Sequence, residues 1–226
     1  MSPLHSLDYG IDVDTVTPPE PLTRALRRRI DGRYPVDPFG MDPHFGDLVT
    51  PVLDFLVRVE VHGGEHVPTS GSAVLVSNRG FGVFEPAAVA VAVRKVANRR
   101  LRIVGAPTWP IIGGLARRLG GVSASPRDVA GPLRAGHLVG VPLAPTWWRT
   151  GAGTPPLPLM AAISHARIVP VAVTPGGPFN TSLRPWQVRF GPLVTLSHAY
   201  EPDDPLTAAQ FAEALRDAVS ALIDQM

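Results

Sequence analysis

A layered α/β domain, with a largely parallel central sheet and helices on both faces, is the fold class this sequence predicts. Three observations lead there. Short apolar segments alternate with helix-periodic segments of about ten residues, the pattern of strands joined by crossover helices. Hydrophobic residues make up 45% of the 226, enough to fill a core between layers. The chain has no cysteine, so that core is not stapled by disulfides. Thiolate nucleophiles and cysteine-ligated metals are excluded with it.

Taken in order, the elements read as follows. Residues 1–46 form a lead and residues 47–226 the α/β domain. Within the lead, Leu22, Leu26 and Ile30 share a helical face, with Arg24, Arg27, Arg28 and Arg29 around it. That is a short basic amphipathic helix, suited either to an anionic membrane surface or to packing on its own domain. Residues 33–46 are turn-rich, and Asp47 is placed to cap a helix running to Val57. Val59-Glu60-Val61 reads as a short strand, the Gly-rich stretch after it as a turn, and Ser72 to Asn78 as a buried strand. A helix follows over 85–97, with Pro86 near its first turn. Leu101–Gly105 is a strand and Ile111–Leu119 a helix stopped by Gly120-Gly121. Asp128–Ala135 is a short helix, Leu138–Val141 a strand, Leu157–His165 a helix and Ile168–Val173 a strand. Val188–Leu196 is a strand or hairpin pair. A terminal amphipathic helix over 207–225 presents Phe211, Leu215, Val219 and Leu222 on one face.

Net charge is +2, but it is unevenly spread. Residues 1–85 carry 12 acids and 7 bases, and residues 201–226 carry 6 acids and 1 base. Between them, residues 86–200 carry 13 bases and the single acid Asp128. Such a middle points to an anionic partner. The alternative is that its bases pair with acids from the two ends. No apolar run approaches the ~18 residues of a spanning helix, and the acidic N-terminus lacks a signal core. The expected place is the cytoplasm, with membrane contact only at the surface. The arginines lack the interleaved aromatics of a single-strand nucleic-acid groove, so nucleic acid is not expected. His62 and His66 bracket Glu65, but Gly63-Gly64 breaks any helix that would align the rings on a metal. Neither a metal nor a cofactor is expected.

Four segments carry a resemblance. Gly63-Gly64-Glu65-His66-Val67-Pro68 is a turn leading into an apolar strand that ends in Asn78-Arg79. Trp109-Pro110-Ile111-Ile112-Gly113 precedes a basic turn and Gly120. Leu138-Val139-Gly140-Val141 and Ile168-Val169-Pro170-Val171-Ala172-Val173 are apolar strands. In order and spacing these resemble the motifs of the lysophospholipid (glycerol-phosphate) acyltransferase family. That resemblance implies acyl transfer from a thioester to the hydroxyl of a glycerol-phosphate or lysolipid. A histidine ending the first strand would take the hydroxyl proton, and an aspartate after four intervening residues would orient the ring.

The residues that should do this are altered. Arg79 stands at the histidine position, and a guanidinium stays protonated and offers no acceptor. Phe84 stands at the aspartate position, and the nearest carboxylate is Glu85. Arg79 and Glu85 either pair at the head of a helix, or Arg79 grips an anionic ligand. Val141-Pro142-Leu143-Ala144-Pro145, at the motif that normally brings a glutamate, has no acid, and none occurs between Asp128 and Glu201. Arg127 matches the family's phosphate-binding base, and Arg149, after Trp147-Trp148, is a second anion candidate. The expectation is a family-like protein that binds a lipid, an acyl thioester, another phosphate-bearing ligand or a partner, without catalysis. The alternative is an active acyltransferase with a rearranged base, such as His137 or His165.

Overall fold

The computed structural model describes residues 36–78, 84–105, 110–143, 165–176, 184–195 and 205–226, with six positions between 21 and 31; at 110–112, 126–127 and 205–208 only the backbone is described. Five helices and seven strands are defined among these residues. The helices are α1 (Pro43–Leu56), α2 (Phe84–Ala97), α3 (Pro110–Arg118), α4 (Pro126–Arg134) and α5 (Pro205–Ile223). The strands are β1 (Val59–His62), β2 (Ala73–Ser77), β3 (Leu101–Val104), β4 (Gly121–Val122), β5 (Leu138–Pro142), β6 (Arg167–Thr174) and β7 (Trp186–Phe190).

All seven strands join one sheet in the order β1-β7-β6-β2-β5-β3-β4. Every pairing is parallel except β6 with β7. The four strands expected to share a sheet are its four adjacent members β6, β2, β5 and β3. Their apolar runs follow from being covered on both faces, as parallel sheets are. On one face, Ala88, Val89, Val91, Ala92 and Val93 of α2 pack with Leu75, Leu101, Val169 and Val171. On the other, Val129 and Leu133 of α4 and Phe211 and Leu215 of α5 pack with Val74, Val76, Val139 and Ile168. The expected apolar face of α5 is buried at Phe211, Leu215, Val219 and Leu222.

The Gly63-Gly64 turn is a single 3-10 turn over Gly64–His66. Gly63 has φ +67°, and a Cβ there would stand 2.1 Å from the Phe190 carbonyl oxygen. A Cβ on Gly64 would stand 2.7 Å from Val96 of α2. Side chains at either position would force the turn off the end of the sheet.

The start of α1 corrects the sequence reading. Asp42, not Asp47, is its N-cap: the Asp42 carboxylate accepts from Phe45 N at 2.9 Å, and Pro43 takes the first helical position. Proline suits that position because the missing N–H has no partner there in any helix. Asp47 is instead buried and paired with Arg100 at 2.7 Å. Residues 36–46, read from sequence as part of the lead, lie against the domain, with Met41 and Asp42 buried. The last expected strand is also shorter: β7 ends at Phe190, and Val194 makes only an isolated bridge to Ile168. The helix expected over 157–165 lies outside the described residues, His165 excepted. Of the basic amphipathic helix, Arg24, Arg27 and Ile30 are described, in helical conformation and exposed.

The positive middle is partly neutralised from the N-terminal side. Arg94 pairs with Asp54, Arg100 with Asp47, and Arg102 with Asp37. Arg99 is turned into the fold, donating to the carbonyls of Pro68 (3.2 Å), Gly71 (2.7 Å) and Gly136 (2.6 Å). These four arginines of the middle therefore serve the fold; the first three pair with acids from the N-terminal end, as the alternative reading of the charge pattern expects, and Arg99 bonds to carbonyls instead. Arg117, Arg118, Arg134, Arg167 and Arg184 are exposed.

Candidate functional site

The sheet's topology selects one region. From β2 the chain moves outward through α2 to β3 and through α3 to β4, returns through α4 to β5, and then crosses to β6 on the other side of β2. The order reverses around β2, and in open α/β sheets ligands bind beyond the carboxyl ends of the strands at such a point. The carboxyl end of β2 is Ser77-Asn78, just before the Arg79 position.

Asn78 closes this end onto β6. Its side-chain amide donates to the Val173 carbonyl at 2.9 Å, and its side-chain oxygen accepts from Val173 N at 2.7 Å. The amide thus continues the ladder for one rung past the strand. On the other side, Leu143 N donates to the Ser77 carbonyl at 2.7 Å. Three strands are locked together at the edge.

Glu85, in the first turn of α2, is buried at this edge. The Ser77 hydroxyl donates to its Oε1 at 3.1 Å. Burial pushes the Glu85 carboxyl above its ordinary value, and the Ser77 hydrogen bond pulls back only part of the way. Desolvation disfavours the charged form, while a donor to the carboxylate favours it. A folded pKa above 4.5 means that Glu85 contributes stability fully below that value and loses it as pH rises through the folded pKa. Glu85→Gln keeps the neutral form at every pH. Its melting temperature should therefore differ least from wild type near pH ~4 and exceed it increasingly toward pH ~7. A gap independent of pH would show that Glu85 is not held above its ordinary value.

The other expected site residues fall as follows. Arg79 and Arg149 lie outside the described residues. Arg127 is the second residue of α4, and its side chain is outside the description. Its position is informative nonetheless. The ladders place Val122 level with Val104, Val141 and Val76, so α4 starts beyond the same carboxyl edge. Three strand spacings, about 14 Å, separate β4 from β2. The Asp128 carboxylate accepts a hydrogen bond from the Ser123 hydroxyl, and its backbone N–H donates to the hydroxyl of Ser125, the N-cap of α4.

His137 and His165 do not converge there. His137 directly precedes β5 and His165 lies just before β6, and the first residues of both strands, Leu138 and Arg167, pair with Ala73 at the start of β2. Four rungs of parallel sheet, about 13 Å, separate that level from Ser77. His137 is buried edge-on to Phe39, with ring centroids 5.5 Å apart. His62 and His66 face Glu60 (3.5 Å) and Glu65 (3.8 Å) respectively. No group of three potential metal ligands occurs among the described residues.

The fold has a solved counterpart. The crystal structure of the 1-acyl-sn-glycerophosphate (LPA) acyltransferase PlsC from Thermotoga maritima superposes with a TM-score of 0.52, covering 89% of this chain and 86% of that one at 15% identity. The chain has the fold of that acyltransferase. No protein-family model matches it. An uncharacterised protein of Mycobacterium tuberculosis is 39% identical over 127 residues, 51% of this chain and 36% of the relative. An uncharacterised protein of Mycobacterium leprae is 37% identical over 127 residues, 51% of this chain and 35% of the relative. The chain spans about a third of the length of these curated relatives.

Sequence reading missed Ser77 as a site residue. Only the placement of α2 against the end of β2 brings its hydroxyl to a carboxylate eight positions later. The available signal was a polar residue ending an apolar strand one step before the Asn78-Arg79 motif.

Proposed function

We propose that this protein binds an anionic ligand at the carboxyl edge of β2, either an anionic lipid, an acyl thioester or another phosphate-bearing molecule. We also propose that it does not pass acyl groups to a glycerol-phosphate hydroxyl by the route its motifs resemble. One observation carries the second half. The position that should hold the base is Arg79, and the two histidines offered as substitutes stand at the opposite edge of the sheet. A hydroxyl needs an acceptor within hydrogen-bond reach to become a nucleophile, and a guanidinium is not one. The binding half is supported by Arg127, at the head of α4 on the same edge as Ser77. A cation there suits a phosphate, and the positive end of the helix dipole adds to it.

No described helix is long and apolar enough to cross a membrane. Contact with a membrane surface in the cytoplasm is part of the proposal. It is supported by the basic segment in which Arg24 and Arg27 are exposed and Ile30 is 85% exposed. Co-sedimentation with vesicles tests it. Binding to vesicles rich in phosphatidylglycerol should exceed binding to pure phosphatidylcholine and weaken with added salt. Neutralising Arg27, Arg28 and Arg29, or replacing Arg127 by alanine, should reduce it further. Equal binding to both vesicle types, or to neither, removes the membrane from the account and leaves a soluble anion as ligand.

The second reading is an active transferase with a rearranged base. The observation in its favour is the carboxylate of Glu85 beside the Ser77 hydroxyl.

A further inference from the structure

We propose that Ser77 is an acyl-accepting nucleophile, with Glu85 as its base, and that the protein takes the acyl group of a thioester onto its own side chain. The inference rests on the reading of this edge as an acyl-thioester site and goes beyond it by assigning a covalent step.

Geometry carries it. Ser77 ends the central strand at the topological switch point and is half-buried, while Glu85 behind it is 6% exposed. The hydroxyl already points its proton at the carboxylate oxygen, 3.1 Å away. A serine needed only to satisfy a buried carboxylate would do so equally well inside the core. Here the hydroxyl sits at the boundary with solvent and the base sits in the dry layer. A desolvated carboxylate is the stronger base, since burial raises its proton affinity. Glu85 lies in the first turn of α2, so the positive end of a 14-residue helix points to the same edge. That end favours the oxyanion formed when a carbonyl is attacked. The neighbouring backbone is fixed by the paired Asn78–Val173 and Leu143–Ser77 hydrogen bonds, which hold the hydroxyl in place.

The step balances without an oxidant or a metal. Ser77 Oγ bonds to the thioester carbonyl carbon, and its proton passes to Glu85 Oε1. The tetrahedral intermediate collapses with cleavage of the C–S bond. The sulfur leaves as the thiol, taking the proton from Glu85, and Ser77 is left as an oxygen ester. With Arg79 at the position of the family's base, nothing is assigned to activate a glycerol-phosphate acceptor, so the ester should accumulate.

The test is intact-mass spectrometry of the full chain incubated with palmitoyl-coenzyme A, with fragment mapping of the adduct. A non-hydrolysable thioether analogue is titrated in parallel. We expect one acyl group per chain, on Ser77, absent in Ser77→Ala. In Glu85→Gln it should form more slowly by about 10²–10⁴-fold, the usual worth of a positioned base. Ser77→Cys keeps a nucleophile of similar size and should still be acylated, which covers the case in which Ser77→Ala does not fold. Binding of the thioether analogue with no adduct, an adduct on another residue, or a rate unchanged in Glu85→Gln overturns the proposal while the binding reading survives. Failure of the analogue to bind at all overturns both.

Discussion

Asp37→Ala should lower the stability of the fold by about 3–5 kcal/mol, the cost of leaving one member of a buried ion pair without its partner. Arg102 lies on β3 with its side chain 2% exposed, paired through Nη2 with an Asp37 carboxylate that is 3% exposed. Its guanidinium carbon stands 5.1 Å from the centroid of the Phe39 ring. Nε and Nη1 of the same guanidinium have no hydrogen-bond partner among the described residues. The Asp37 carboxylate is therefore the main compensation for a charge held in a dry place. Asp37 also accepts from the backbone N–H of Phe39 and of Met41, at 2.9 and 2.8 Å, so it shapes the turn that delivers it. Asp37→Ala should lose both functions, and Asp37→Asn should keep part of the turn while losing the charge. Adding Arg102→Met to Asp37→Ala should recover most of the loss, because an apolar side chain of similar length has no charge to strand. Denaturant melts of the three variants and wild type measure this. A loss below ~1 kcal/mol for Asp37→Ala would place the pair with exposed ion pairs.

Transfer of palmitoyl from its coenzyme A thioester to glycerol 3-phosphate or to lysophosphatidate should be undetectable. Removing a general base alone costs about 10²–10⁴-fold, and on the proposed reading a permanent cation, Arg79, stands at its position in the motif. Arg79→Ala should not restore transfer, since it removes the cation without supplying an acceptor. His137→Ala and His165→Ala should leave the result unchanged, because both side chains belong to the amino edge of the sheet. Turnover that depends on one of them would mean that the site is not at the carboxyl end of β2.

The four central strands were legible because each is a short, uniformly apolar run between turn residues, and burial on both faces demands that pattern. α5 was legible because its apolar residues keep a helical period from Phe211 to Leu222, about three turns. The cap of α1 was misplaced because Asp42 and Asp47 both precede apolar periodic residues, and only the position of Pro43 separates them. The buried arginines were not legible at all. Arg102 interrupts the apolar strand Leu101–Val104, and its partner lies 65 positions earlier in a turn-rich stretch with no periodicity of its own. The same holds for Arg100 with Asp47 and Arg94 with Asp54, whose pairing depends on how α1 lies against the domain. At the candidate site, the reading of Arg79 as a replaced base rests on the order and spacing of the motifs alone. The Ser77–Glu85 contact was not legible, since it depends on how the start of α2 sits against the end of β2.

The measurement that bears most directly on the central claim joins binding and transfer on one preparation. The full chain is titrated with the thioether analogue of palmitoyl-coenzyme A, and then given the thioester with lysophosphatidate while phosphatidate is quantified. Saturable binding that weakens with salt and with Arg127→Ala, together with no phosphatidate above the protein-free rate, is the predicted result. Steady phosphatidate formation that survives Arg79→Ala, or the absence of any binding, would contradict it.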